Sequence, residues 1–277
     1  MTYRLTRMSV SRYVIAFRAV LVFLCAGPIM SLPAHSAQPE TEGFRGWSWV
    51  GPKKKWSYKT TDSGQGPVQV GKTADRFEIR AGDCGKTGDY NDCKHDREHV
   101  AWNETGSTKL GTPVWYSLSV FIPASTPTKL QGDVNVILAE WRPVGPGQIN
   151  LSIELQKDGL VAVVGSTTKK QKNDMKPPKP ALWRSIDSQA PTDKWINFEL
   201  EVMWSTGKDG QLVLYRDKMA VASLRGPNTV FNKPVHMQYG IYRPFVSKAG
   251  GPLPTQIIYF DNVKKASTRE QLIPENN

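Results

Sequence analysis

Apolar residues recur at every second position along most of this chain. In the stretch 195–204, Ile196, Phe198, Leu200, Val202 and Trp204 share one face, while Asn197, Glu199 and Glu201 share the other. That two-residue period predicts a half-buried strand. The stretches 77–80, 114–122, 149–155, 211–216, 235–243 and 257–264 read the same way, and 160–164 is a more continuous apolar run. Turn signals separate them: Lys157-Asp158-Gly159, the segment from Gly207 to Gly210, and Arg216-Asp217-Lys218. No long amphipathic helix, internal repeat or interdomain linker interrupts the pattern. Many strands at hairpin spacing predict an all-β fold, an antiparallel β-sandwich or jelly roll in a single domain.

The N-terminus follows another rule. Arg4, Arg7, Arg12 and Arg18 precede an apolar run from Ala19 to Ala26, followed by a small-residue stretch ending at Ala37. This order predicts a secretory signal peptide over residues 1–37 and a mature domain over 38–277, secreted or periplasmic. The apolar run is too short to span a bilayer and no second one follows, so no membrane insertion of the mature chain is expected. The whole chain carries a formal charge of +11; the leader holds four of its arginines and no acid, which leaves +7 for the rest. A basic exported protein points to a polyanionic partner. Nucleic acid is not expected, because no zinc-finger spacing, basic helix or helix-turn-helix pattern is present. Cys84 and Cys93 are the two cysteines beyond the leader, and an oxidising compartment predicts that they pair. Asp83, Asp89, Asp92 and Asp96 crowd that loop. They lack the spacing of a calcium loop and read as solvated turn residues, with calcium the alternative. The basic, proline-containing segment 166–180 reads as a solvated loop or as a rim gripping a polyanion. The mature chain is expected to act as a monomer.

Candidate chemistry lies on the polar faces of the strands. Alternation in 235–243 puts His236, Gln238, Gly240 and Tyr242 opposite an apolar row of Val235, Met237, Tyr239 and Ile241. Arg97 and His99 share a face, as do Glu140 and Arg142; Asn150, Ser152, Glu154 and Gln156 point away from a core row. Several strands thus offer polar residues to line one sheet, the arrangement a glycan groove uses. Cleaving a uronate polymer by β-elimination requires a base for the C5 proton, a cation or amide to neutralise the C6 carboxylate, and an acid for the leaving oxygen. Tyrosine serves in either proton-transfer role where positive charge lowers its pKa.

The segment from Gln238 to Arg243 and the later Gln256–Val263 resemble the heparin-lyase-like polysaccharide lyases and, more distantly, the alginate and glucuronan lyases. Arg97-Glu98 after the cysteine loop, 194–204 and 210–215 add to the likeness, which spans roughly residues 44–270. The resemblance implies a β-jelly roll and eliminative cleavage of an anionic, uronate-containing polysaccharide. It assigns Tyr242 as general acid or base and Arg97 as a carboxylate-binding arginine. One departure stands out. Where such lyases carry glutamine-x-histidine on a middle strand, this chain reads Glu140-Trp141-Arg142, and arginine cannot act as a base. The expected catalytic set is Tyr242, Arg142, Arg97 and Glu140, with Arg142 neutralising a carboxylate. The expected substrate-binding set is Gln238, His236, His99, Asn150, Trp141 and Arg243. Against this stands a structural reading, in which Tyr242 and Trp141 pack and Arg97-Glu98 is an ion pair. The alternatives are a non-catalytic, lectin-like glycan-binding protein and an envelope protein that adheres through its charge. A glycoside hydrolase would need paired carboxylates beyond Glu199 and Glu201.

Overall fold

The computed structural model describes residues 43–87, 90–165 and 180–273. The leader, Asp89 and the basic segment 166–179 lie outside the described residues. Two seven-stranded antiparallel sheets stack face to face. The first has the order β1 (Trp47–Val50), β6 (Arg97–Glu104), β15 (Val235–Pro244), β8 (Val136–Pro143), β9 (Leu151–Gln156), β10 (Gly159–Val164) and β11 (Leu182–Asp187). The second has the order β14 (Met219–Arg225), β13 (Gln211–Arg216), β12 (Trp195–Met203), β7 (Pro113–Phe121), β16 (Gln256–Ala266), β3 (Thr73–Ile79) and β2 (Tyr58–Asp62). A two-stranded ribbon, β4 (Lys86–Thr87) with β5 (Tyr90–Asn91), stands apart. Among the described residues the only helices are short 3-10 turns. The all-β antiparallel sandwich expected from the two-residue period is the fold, and its strand order makes it a jelly roll.

The alternation builds the core directly. Along β12 every second residue is buried, from Ile196 to Val202, and these side chains meet Phe77, Leu118, Met237, Tyr239 and Ile241 between the sheets. Aromatic edges fill the middle: Tyr239 packs T-shaped against Trp47 and Phe77, with centroids 5.0 and 5.6 Å apart. A carboxylate in this layer joins the two sheets. Asp75 accepts hydrogen bonds from the hydroxyls of Tyr58 (2.6 Å) and Tyr239 (2.7 Å), pinning the second sheet to the first. Burial pushes its carboxyl up to about 6, against the opposing pull of those two hydroxyls. The turn Arg216-Asp217-Lys218 becomes a tight hairpin in which Asp217 and Lys218 both take positive φ, 47° and 69°, as a two-residue turn between twisted strands requires.

Within the two large sheets, periodicity does not foresee four of the strands: β1, β11, β14 and β2. They are the four sheet edges. An edge strand packs only part of its length on the core, so its pattern lacks strict alternation; in β11 no residue is fully buried.

Candidate active site

The face of the first sheet turned away from the core carries buried polar side chains. Strand register arranges them in rows across the sheet. One row runs from His99 on β6 to Tyr242 on β15, Ile137 on β8 and Glu154 on β9. The next runs from Asn103 through Gln238, Glu140, Ser152 and Val163 to Trp183 on the β11 edge. A third pairs His236 with Arg142. Two adjoining cavities of about 730 and 520 Å³ open over these rows and share Arg97, Arg142 and Gly147. The larger is lined by His236 and Gln238, the smaller by Tyr242, Glu154 and Trp183.

Tyr242 is held from below. Its ring stacks on the His99 imidazole, centroids 4.4 Å apart and planes 26° from parallel. The Gln238 amide donates to His99 Nε2 at 2.7 Å, which leaves the imidazole proton on Nδ1. That nitrogen lies 3.7 Å from the carboxylate of Asp92, itself fully buried. Asp92 begins the 3-10 turn Asp92–His95, which the Cys84–Cys93 disulfide ties down. The predicted cysteine pairing is therefore present. The turn is fastened further by the Asp92 amide donating to the Gly85 carbonyl and the His99 amide donating to the Asp83 carbonyl. Gly240 lies between Gln238 and Tyr242 with φ 143°; a Cβ there would meet the Val100 carbonyl oxygen at 2.4 Å. This face of β15 is therefore bare backbone between Gln238 and Tyr242.

Charge is concentrated on one side of the cleft. Arg142 pairs with the buried Glu140 at 3.2 Å, so Glu140 holds the guanidinium over the sheet. Burial first, and the neighbouring Arg142 second, push the His236 imidazole down to about 4, so it is neutral near pH 7. Burial raises Glu154, while Ser152, Gln156 and Asn135 donate to its oxygens and pull it back.

Tyr242, Arg97, Arg142, Glu140, Gln238, His236 and His99 are thus brought together. Three expectations are corrected. Arg243 does not face the cleft: it has the parity of the core row, is fully buried, and pairs with Glu98 at 2.7 Å while donating to the Pro254 carbonyl. Glu98 therefore partners Arg243, which lies opposite it on β15. Trp141 is no stacking platform; it is fully buried and packs T-shaped on Tyr116 at 5.7 Å. Asn150 is only 1% exposed and lines neither cavity. Nor do the described aspartates of the cysteine loop, Asp83, Asp92 and Asp96, converge as a calcium site would need. Asp83 accepts from Trp56 and the Arg80 amide, Asp96 accepts from Ser247, and Asp92 faces His99. Among the described residues no group of three or more metal-ligating side chains forms. Sequence reasoning missed Trp183, the Asp92–His99 contact and Asn103. The first lies on an edge strand, and the second depends on a loop closure with no periodic signal.

No curated protein matches the chain in sequence. Among solved structures, an endo-β-1,4-glucuronan lyase from the fungus Trichoderma reesei superposes with a TM-score of 0.61 at 15% identity, covering 86% of this chain and 98% of that one. The alginate lyase A1-II′, a member of polysaccharide lyase family 7, superposes with a TM-score of 0.52 at 11% identity over 77% of this chain and 83% of that one. A doubly substituted form of that enzyme, solved in complex with the substrate GGMG, gives 0.53 at 12% identity over 79% and 91%. At such identities these likenesses establish the sandwich fold. The sequence model described as Polysaccharide lyase matches residues 40–264, most of the chain, and the protein belongs to that family.

Proposed function

We propose that the protein is an exported lyase that cleaves a uronate-containing polysaccharide by β-elimination, with Tyr242 moving the protons. The observation that carries this reading is the Tyr242–His99–Gln238 cluster, open to a cleft that Arg97 and Arg142 also line. Tyr242 takes the C5 proton and returns one to the O4 leaving group, and a C4–C5 double bond forms. Arg97 and Arg142 neutralise the uronate carboxylate so that charge can develop on it. His99 supplies an imidazole that the Glu140-Trp141-Arg142 strand lacks. Seated under the ring, it positions Tyr242. The glucuronan and alginate lyases that share the fold make their polymers the first substrates to try. The affiliation with the heparin-lyase-like branch and export by the leader belong to the same proposal.

The test is the absorbance near 235 nm of the unsaturated uronate. A rise on one polymer of a uronate panel that falls by about 10²–10⁴-fold in Tyr242→Phe, with binding retained, supports the lyase. Binding without any absorbance change in the intact protein sinks catalysis and leaves a lectin-like protein.

A further inference from the structure

The strand that carries Tyr242 ends in a strained turn. After Pro244 the chain bends into the 3-10 turn Val246–Ala249, and Phe245 at the bend takes φ 58° and ψ 46°, the left-handed region. A Cβ makes that conformation costly, and a bulky side chain is an outlier there. Of the seven described non-glycine residues with positive φ, five are aspartate or asparagine, whose short polar side chains tolerate it. Lys218 belongs to the tight hairpin, which leaves Phe245 as the one aromatic residue among them.

The surroundings impose this conformation. Asp96, the neighbour of Arg97, grips the turn from one side. Its carbonyl accepts from the Val246 amide at 3.2 Å, and its carboxylate accepts from the Ser247 amide and the Ser247 hydroxyl, each at 2.7 Å. From another side Gly132 fits so closely against the Lys248 carbonyl that a Cβ would collide with its oxygen. Strain that persists because its surroundings over-determine it collects at ligand clamps and active sites.

What the turn presents is a ring in solvent. Phe245 is 43% exposed and lines the same cavity as Tyr242, Pro244 and Arg97. A phenylalanine that served only the core would be buried, and a turn that needed only the left-handed conformation is better served by glycine or asparagine. The Lys248 ammonium lies over the ring, 4.8 Å from its centre, and steadies it. Phe245 follows Tyr242 by three residues, at most about 11 Å of chain, which puts the ring within reach of a sugar beside the one that reacts. The described residues that flank 166–179 lie toward Asn150 and Trp141, at the Met237 end of β15 and away from Pro244.

We infer that Phe245 is a substrate-binding residue: its ring packs against the C–H face of the sugar next to the reacting uronate, and the left-handed turn is kept to hold it there. The inference rests on reading the cleft as a glycan cleft, and it adds an apolar contact to the charged ones of Arg97 and Arg142.

The experiment uses the full chain carrying Tyr242→Phe, so that binding is read without cleavage. Calorimetry on glucuronan and on alginate is paired with the thermal midpoint of each variant. Adding Phe245→Asn is expected to weaken binding of the better ligand by several-fold to about tenfold. The midpoint is expected to stay within about 2 °C or to rise, because the strain is relieved. Because the contact is apolar, the loss should be the same factor at low and at high salt. Phe245→Tyr, which keeps the ring, should keep the affinity. A larger fall in the midpoint of Phe245→Asn makes the ring a structural part of the turn and overturns the inference. So does affinity indifferent to Phe245→Asn, or a loss that fades as salt rises; the lyase reading survives all three. Failure of the Tyr242→Phe chain to bind either polymer removes the glycan cleft itself and this inference with it.

Discussion

The two sheets have the same strand number and the same alternation, yet their outward faces differ. On the second sheet the outward charged residues are partly solvated: Glu199 and Glu201 on β12 are half-buried, Glu199 pairs with Arg269 at the surface, and only small hydroxyls such as Ser117 and Ser119 on the neighbouring β7 are buried beside them. On the first sheet the outward residues His99, Gln238, Glu140, Ser152 and Glu154 are each less than a tenth exposed, although they are as polar as their counterparts. Burying polar groups is costly unless they are paired, and here Gln238 pairs with His99 across strands, Ser152 with Glu154 along β9, and Glu140 with Arg142 along β8. The contrast teaches that a polar face becomes a site when its groups are desolvated together and bonded into rows. Polarity alone marks only the solvent side of a sheet.

The sharpest way to break the contrast is to fill the gap in the first sheet. Gly240→Ala forces a Cβ onto the Val100 carbonyl at a φ that side chains avoid. Chemical denaturation should show a loss of more than about 3 kcal/mol, together with lost turnover; a wild-type midpoint would show that β15 is not held against β6 as described. Next comes the carboxylate between the sheets. Because Asp75 sits at about 6 when folded and near 4 when unfolded, it contributes stability that is complete at lower pH and is lost as pH rises through about 6. Between those values the wild type should lose up to about 3 kcal/mol relative to Asp75→Asn, measured as the difference of two denaturation series. Parallel pH curves would remove Asp75 as the titrating pin. The smallest effect belongs to the second sheet. Glu201→Ala, on its outward face, should change stability by no more than about 0.5 kcal/mol and leave turnover untouched. A large loss of turnover there would move the site to the wrong sheet.

The sequence made the fold legible wherever a strand has the core on one side along its whole length, as β12, β13 and β15 do. It hid the four edges, where that condition fails. The polar row of β15 was equally legible, because Gln238 and Tyr242 alternate with Met237 and Ile241. Arg243 and Trp141 share the parity of the core, a periodic signal that outranks the chemistry of their side chains. Asn150 has the parity of the cleft but is covered, which no periodic rule reveals. What brings His99 under Tyr242 is the adjacency of β6 and β15, strands more than a hundred residues apart, and alternation carries no information about which strands become neighbours.

The disulfide has a consequence of its own. Cys93 follows Asp92, the carboxylate behind His99, while the sandwich core lies elsewhere. Opening the Cys84–Cys93 bond therefore loosens the support of His99 and Tyr242 while the two sheets keep their shared interior. Oxidised and reduced chains would look alike to a probe of strand content and unlike to a substrate, so the protein's activity would serve as a readout of its thiol state.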